Sequence, residues 1–233
     1  MFQPKIGFAK VKGAMLLGLM ALLFLAVMAP GTAMANLFTL NPVADATIYG
    51  TYPNANYGTD NLWVDASTYS RIYLRFDLSD LPDNYAISQA TLHLYCYYAG
   101  PNATTIDLHF VGTDSWIETG TGGITYNNAP AYGSKLDSQS SSGNVWSVFN
   151  LFGVPGAWNW SADLTDNAVS LLLKDSSELV NAIECFYCKE YSSPNKPYLE
   201  ITANPVPLPP AVLLLGSGLL GLGLAGVRRR FDK

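Results

Sequence analysis

The sequence predicts an all-β sandwich with an apolar helical segment at each end, and three observations lead to this prediction. Residues 71–78 are apolar at every second position, from Ile72 to Leu78, as a strand with one buried face requires. Clusters of Gly, Pro, Asn and Asp, such as 52–58 and 81–84, separate this segment from others like it. The third observation is a long uncharged apolar run near each terminus. Short strands divided by turn residues are typical of a β-sandwich.

The first 35 residues have the pattern of a secretory signal peptide. Three lysines precede an apolar run at 14–27, and Ala33 and Ala35 supply the small residues that signal peptidase requires. We expect cleavage after Ala35, which makes Asn36 the first residue of the mature protein and places that protein outside the cytoplasm. The alternative is an uncleaved membrane anchor, for which the run is short.

Residues 206–233 form a distinct C-terminal tail. Two prolines, Pro207 and Pro209, precede 17 uncharged residues at 211–227, and an arginine triplet follows at 228–230. As a helix, the uncharged run would span about 26 Å, close to the ~30 Å thickness of a hydrocarbon core. The arginines would stay on the cytoplasmic side. The tail therefore predicts a transmembrane helix that leaves the preceding residues outside the cytoplasm.

This tail resembles the PEP-CTERM sorting signal of Gram-negative bacteria that make exopolysaccharide. The matching elements are Pro207, Pro209, the run 216–222, Arg228, Arg229 and Arg230. The signal is named for a Pro-Glu-Pro motif, and Leu208 stands in place of its glutamate. The resemblance implies that an exosortase processes the tail, so that the protein is held in the inner membrane transiently and then reaches the cell surface or the extracellular matrix. An ordinary single-pass membrane anchor is the alternative.

Between the two terminal segments, residues 36–205 have the length of one domain and a strong negative charge. They contain six Lys and Arg against 17 Asp and Glu, a formal charge of 6 − 17 = −11. Such a surface repels nucleic acid and anionic lipid headgroups, so we expect neither as a partner. It also disfavours direct attraction to an acidic polysaccharide, which leaves a neutral ligand or one bridged by divalent cations.

Five side chains are candidates for a carbohydrate-binding surface. If the alternation holds, Tyr73 and Arg75 project outward from one strand, while His93, Tyr95 and Tyr97 project outward from another. Aromatic rings stack on the apolar face of a pyranose, and an arginine can pair with hydroxyls or carboxylates. The alternative is that these residues only cover the sheet, because tyrosine is a good strand former.

A calcium ion is the one cofactor that the residue pattern suggests. Asp45, Asn54, Asn56, Asp60 and Asp65 place hard oxygen ligands in one loop-rich region. Their spacing does not match an EF-hand, and an acidic turn can simply be solvated. The sequence therefore predicts a calcium site at these five residues.

The three cysteines, Cys96, Cys185 and Cys188, cannot all pair with one another. Residues three apart on a strand point to opposite faces, so the last two are poorly placed to share a zinc ion. Two alternatives remain open: a disulfide between Cys96 and Cys188, or three buried cysteines acting as small apolar groups.

The ordered motifs of the domain resemble DNRLRE-type domains, which are grouped with carbohydrate-binding module family 96. The matching segments are 45–48, 54–58, 62–64, 71–78, 90–95, 116–118, 125–130 and 186–190. The resemblance implies a jelly-roll-like β-sandwich that binds polysaccharide, alginate in the best-known members, with Trp63 and Trp116 as packing residues. Tyr126 stands where the family usually has tryptophan, and Lys189 stands where it has arginine.

The last third of the domain has the least regular pattern. Residues 145–151 could form a helical turn or two, and the polar stretch 134–144 is expected to be a loop. For Trp146, Trp158 and Trp160, we favour an apolar satellite cluster over sugar contacts on loops.

Catalysis has little support in the sequence. Both histidines, His93 and His109, fall on predicted strands, and the sequence contains neither a nucleophile-elbow nor a zinc-protease motif. We therefore expect an exported, non-catalytic polysaccharide-binding protein that meets signal peptidase and an exosortase during export. The alternatives are a structural matrix or adhesion protein without glycan binding, and a polysaccharide lyase or hydrolase.

Overall fold

The computed structural model describes residues 34–102, 105–177, 182–192 and 194–206. The strands are β1 (Asn36–Leu40), β2 (Pro42–Ile48), β3 (Leu62–Asp65), β4 (Arg71–Asp77), β5 (Tyr85–Ala99), β6 (Thr105–Val111), β7 (Tyr132–Ser140), β8 (Val145–Asn150), β9 (Ala168–Asp175), β10 (Ile183–Phe186) and β11 (Tyr198–Pro205). A 3₁₀ helix covers Ala66–Thr68, and the α-helix α1 covers Trp160–Asp166.

The strands form two antiparallel sheets, which confirms the predicted all-β sandwich. The front sheet has the order β1-β11-β5-β10-β3, with β8 also paired to β5. Strand β5 pairs with β11 and then β10 along one edge, and with β8 along the other. The back sheet has the order β2-β4-β9-β6-β7. The jelly-roll-like connectivity stays a prediction.

The inner faces of the two sheets enclose the main hydrophobic core. From Ala90 to Cys96, every second residue of β5 is buried there, and so are Ile72 and Leu74 of β4. This alternation follows from strand geometry, because successive side chains point to opposite faces. The inward residues predicted from the pattern of 71–78 are thus confirmed.

A second, smaller core lies on the outer face of the back sheet. The segment 112–131, which connects β6 to β7, packs Trp116 and Ile124 against Tyr73 of β4 and Leu172 of β9. Because this segment covers the central strands of the back sheet, their outward residues are buried as well as their inward ones. The alternating pattern of the strands does not predict that this segment covers the sheet.

Two predictions in the last third of the domain are wrong. Residues 145–151 do not form a helix, because β8 runs through them and pairs with β5. Most of the predicted loop 134–144 belongs to β7, which pairs with β6. The connection between β7 and β8 closes at Asn144, whose φ of 62° is left-handed and whose N–H donates to Cys96 O at 2.7 Å.

The predicted signal helix and transmembrane helix fall on 1–33 and 207–233, outside the described residues. Within the part of the chain that the structure describes, no helix combines the length and the apolar character needed to cross a membrane. Strand β1 begins at Asn36, directly after the predicted cleavage point at Ala35.

Candidate functional site

A continuous row of aromatic rings lies on the outer face of the front sheet. We call it the aromatic strip, and its members are Tyr198, His93, Trp146, Tyr95, Tyr187, Tyr97 and Tyr191. Strand register builds its first half, because His93 of β5 is paired with Tyr198 of β11 and Tyr95 is paired with Trp146 of β8. Side chains paired across strands lie side by side on one face.

The rings of the first half contact one another closely. His93 stacks on Tyr198 with centroids 4.3 Å apart and planes 8° from parallel. Trp146 meets Tyr198 and Tyr95 edge to face, each at a centroid distance of 5.4 Å. Trp146 keeps 36% of its surface exposed, so the strip presents ring area to solvent.

The second half of the strip runs through the segment that follows β10. Tyr187 stacks against Tyr95 at 5.9 Å, against Tyr97 at 4.8 Å and against Tyr191 at 4.0 Å. Tyr191 is 41% exposed. Mutual stacking fixes these side chains in place, which lowers the entropy that a ligand must overcome to order them.

An open groove of about 680 Å³ continues the strip beyond Tyr191. Its aromatic lining residues are Tyr49, Tyr57, Trp63 and Tyr191. Trp63 was expected in the core, but it is 36% exposed and lies on the groove wall, whereas Trp116 is buried as predicted. Polar lining residues of the groove include Asn61, Asp60 and Glu190. Rings and hydrogen-bonding groups therefore share one concave surface.

Burial favours the neutral forms of two side chains in the strip, His93 and Tyr97. Burial lowers the pKa of His93, and the nearby carboxylate of Glu200 only partly opposes this effect. Burial also raises the pKa of Tyr97 to about 12, so that its hydroxyl stays protonated. The strip thus offers ring faces and neutral hydrogen-bonding groups.

The structure separates the five predicted carbohydrate-binding residues. His93, Tyr95 and Tyr97 lie together in the aromatic strip. Tyr73 and Arg75 belong to β4 in the other sheet, and the prediction that they share this surface is wrong. The cover segment 112–131 lies over both.

Tyr73 and Arg75 hold that cover segment in place. Tyr73 is only 1% exposed, and its hydroxyl donates to Pro130 O at 2.6 Å. Arg75 Nη1 donates to the carbonyl oxygens of Asp114 and Trp116 at 2.7 and 2.5 Å. Its guanidinium also lies 5.2 Å from the centroid of the Trp116 ring. Both residues therefore stabilise the fold from beneath the cover.

The five predicted calcium ligands do not converge either. Asn54 accepts a hydrogen bond from Asn127, and Asp65 accepts from Ser67 at the start of the 3₁₀ helix. Asp60 lines the groove. The side chains of Asn54, Asp65 and Asp60 thus have separate roles.

Asn56, another of the predicted ligands, connects its own loop to the cover segment. Its Nδ2 donates to Glu118 O and Ile124 O, both at 2.7 Å. It therefore uses its amide to anchor the cover segment.

Asp45, the remaining predicted ligand, belongs to a different acidic group. One carboxylate oxygen of Asp45, Glu118 and Glu190 can be chosen so that all three lie within 4.8 Å of one another. Lys189 supplies a cation there, with Nζ 3.0 Å from Glu118 Oε1 and in contact with Glu190 Oε1. These three carboxylates, and not the predicted set, are the described acids that could hold a metal ion.

Asp45 is completely buried within this group. Its Oδ2 accepts a hydrogen bond from the Lys189 backbone N–H at 2.7 Å, while its buried Oδ1 has no hydrogen-bond partner among the described residues. Burial, reinforced by the charges of Glu190 and Glu118, raises the pKa of Asp45 to about 8. The carboxyl is therefore mostly protonated at neutral pH.

All three cysteines are free and buried. Of the two alternatives from the sequence, the structure has the second, and the predicted disulfide between Cys96 and Cys188 is absent. Cys96 Sγ instead lies 3.1 Å from Tyr98 O. The thiol of Cys188 packs in the main core.

Four members of the strip were not among the predicted carbohydrate-binding residues. Trp146 was expected in an apolar satellite cluster with Trp158 and Trp160, which instead pack in or against the main core. Trp146 alternates with the buried Ser147 and Phe149, a period of two that a strand assignment would have used. Tyr198 precedes the buried Leu199 of β11, so the same alternation places it outward. Tyr187 and Tyr191 follow the end of β10, where no periodic signal exists.

Comparison with known proteins identifies the family of the domain that carries this surface. No curated protein matches the chain. The family model of carbohydrate-binding module family 96 matches residues 36–203, so the chain belongs to that family.

Proposed function

We propose that this protein is an exported, non-catalytic polysaccharide-binding protein of the cell surface or exopolysaccharide matrix. The observation that carries the proposal is the aromatic strip and its adjoining groove, on the uncovered outer face of a carbohydrate-binding module. Pyranose rings stack their apolar faces on Trp146, Tyr187 and Tyr191, while Asn61 and Asp60 bond to hydroxyl groups. Binding sites commonly combine an aromatic lining with a few placed polar groups in this way.

Retention of the full chain in gels that contain polysaccharide tests this function. The wild type migrates more slowly in at least one polysaccharide gel than in a gel without it. The double variant Trp146→Ala/Tyr187→Ala loses that retardation. Tyr132→Ala is the matched control, because Tyr132 is a 37% exposed aromatic residue on the back sheet. Equal retardation of the double variant and the wild type would rule out the aromatic strip as the site.

A non-catalytic role is supported by how the carboxylates near the groove are engaged. Glu118 and Glu190 both contact the ammonium group of Lys189, which leaves them poorly suited to act as a general acid and base pair. Incubation with each retained polysaccharide therefore produces no new reducing ends and no unsaturated products. A fall in chain length over time would instead favour a lyase or hydrolase.

Export and sorting complete the proposal. The signal pattern ends at Ala35, directly before β1 and before the first residue of the family match. The tail motif with Pro207, Pro209 and its arginine triplet supports processing by an exosortase at the inner membrane. Mass spectrometry of the native protein finds Asn36 at the amino terminus and a carboxyl terminus before Arg228. An intact end at Lys233 would contradict the sorting step.

A further inference from the structure

The charges around the aromatic strip restrict which polysaccharides it can accept. The domain at 36–205 has six cationic side chains, and all six lie in the described part of the chain. Four of them, Arg71, Arg75, Lys135 and Lys174, belong to strands of the back sheet. The opposite sheet therefore holds most of the positive charge.

The two remaining cations lie beside the groove without lining it. Lys189 is paired with Glu118 and Glu190. Lys196 lines a neighbouring depression, which shares Glu190 with the groove. Among the residues that the structure describes, no lysine or arginine therefore lines the groove.

Negative charge, in contrast, lies at both ends of the surface. Asp60 and Glu190 are the charged lining residues of the groove. Glu200 lies near His93 and Tyr198 at the far end of the strip, because its charge acts on the pKa of both side chains. His93 adds no positive charge near pH 7, since burial lowers its pKa. Because Lys189 pairs with Glu190, a uronate or sulfate on the ligand would meet repulsion mainly from Asp60 and Glu200, and no described cation lines the groove to compensate it.

We propose that the aromatic strip and groove bind a neutral polysaccharide, a chain of pyranose rings without carboxylate, sulfate or phosphate groups. This inference rests on the proposed function and restricts its ligand to one class of polysaccharide. Stacking supplies the affinity, and the carboxylates of Asp60 and Glu190 accept hydrogen bonds from sugar hydroxyls. Carboxylate acceptors suit a hydroxylated ligand but not an anionic one.

A panel of two ligand classes tests the inference with the full chain. The neutral probes are mixed-linkage β-glucan, xyloglucan and galactomannan, and the anionic probes are alginate oligomers and polygalacturonate oligomers. Affinity is measured at about 0.05 M and about 0.5 M NaCl, with EDTA and separately with about 1 mM CaCl₂. We expect at least one neutral probe to bind at least about tenfold more tightly than either uronate, with an affinity that changes little between the two salt concentrations.

Variants assign the binding to the strip. Trp146→Ala and Tyr187→Ala each weaken binding of the neutral probe by about tenfold or more, while Tyr132→Ala on the back sheet leaves it unchanged. Circular dichroism and thermal unfolding of each variant show that the loss does not come from unfolding.

The possible failures separate the two proposals. Tighter binding of a uronate than of every neutral probe, whether in EDTA or only with calcium, overturns the neutral class and leaves the proposed polysaccharide-binding function in place. Failure of the whole panel to bind overturns both.

Discussion

The outer faces of the two sheets are built by strands with the same alternating sequence pattern. One face is covered by another segment of the chain, and the other is exposed. On the back sheet, Tyr73 points outward from β4 and is covered by the segment 112–131. On the front sheet, Tyr95 points outward from β5 and remains in an exposed row of rings. An outward aromatic residue thus becomes core or binding surface according to whether another part of the chain lies over it.

The largest expected difference between the faces is in stability. Trp116→Ala removes a buried ring from the smaller core and its hydrogen bond to Ser170, and should lower the free energy of unfolding by about 3–5 kcal/mol. Trp146→Ala on the front face should lower it by about 1 kcal/mol or less. Chemical denaturation of both variants measures the two values, and equal losses would contradict the distinction between a covered and an uncovered face.

The second difference is in ligand binding. Trp146→Ala removes a ring that contacts Tyr95, His93 and Tyr198, and should weaken polysaccharide binding by about 2 kcal/mol, roughly 30-fold. The folded fraction of Trp116→Ala should bind as the wild type does. Titration with a retained polysaccharide checks both values, and the reverse ranking would place the site on the back face.

The third difference is in pH dependence, since the cover of the back sheet adjoins the buried carboxyl of Asp45. Its folded-state pKa of about 8 exceeds the ordinary aspartate value of 3.8, so the folded protein holds a proton that the unfolded chain releases. Its contribution to stability is therefore complete below about pH 4 and is lost as the pH rises through about 8, at up to ~1.4 kcal/mol per pH unit. Asp45→Asn removes this slope.

Denaturation of the wild type and Asp45→Asn between about pH 5 and about pH 8 tests the effect. The variant should gain stability relative to the wild type as the pH rises. Asp163, whose pKa burial raises to about 7, acts in the same direction, so part of the slope remains in the variant. Parallel pH profiles for the two proteins would show that Asp45 is not the group that titrates.

The smallest expected difference concerns single hydroxyl groups. Tyr73→Phe removes the hydrogen bond to Pro130 O beneath the cover and should cost about 1 kcal/mol of stability. Tyr95→Phe keeps the ring contacts of the exposed strip and should change stability by less than about 0.5 kcal/mol. Thermal unfolding of the two variants measures both losses of stability. A larger loss for Tyr95→Phe would contradict a structural role limited to the tyrosine hydroxyl on the back sheet.

The sequence was sufficient to predict the sandwich because strand alternation is a local property. The inward residues of β4 were predicted correctly, since a period of two places them on one face. Residues 145–151 were harder, because a short apolar run fits a strand or a helix equally well until its pairing with β5 is known.

The site was predictable only in part, because the burial of an outward-facing side chain depends on residues that are distant in sequence. Tyr73 and Tyr95 have the same local alternation, and only the packing of Trp116 from the connection between β6 and β7 distinguishes them. Asp45 is likewise buried by Glu118 and Lys189, which are remote in sequence. Secondary-structure propensity and residue spacing do not show which distant segment will bury a given side chain.

Footprinting of aromatic side chains by hydroxyl radicals, with and without a saturating retained polysaccharide, tests the central claim most directly. It reports on both outer faces in one experiment. We predict that the ligand protects Trp146, Tyr187 and Tyr191 and leaves Tyr132 unchanged. Protection of Tyr132 on the back sheet, with the aromatic strip as reactive as in the free protein, would contradict the assignment of polysaccharide binding to the front face.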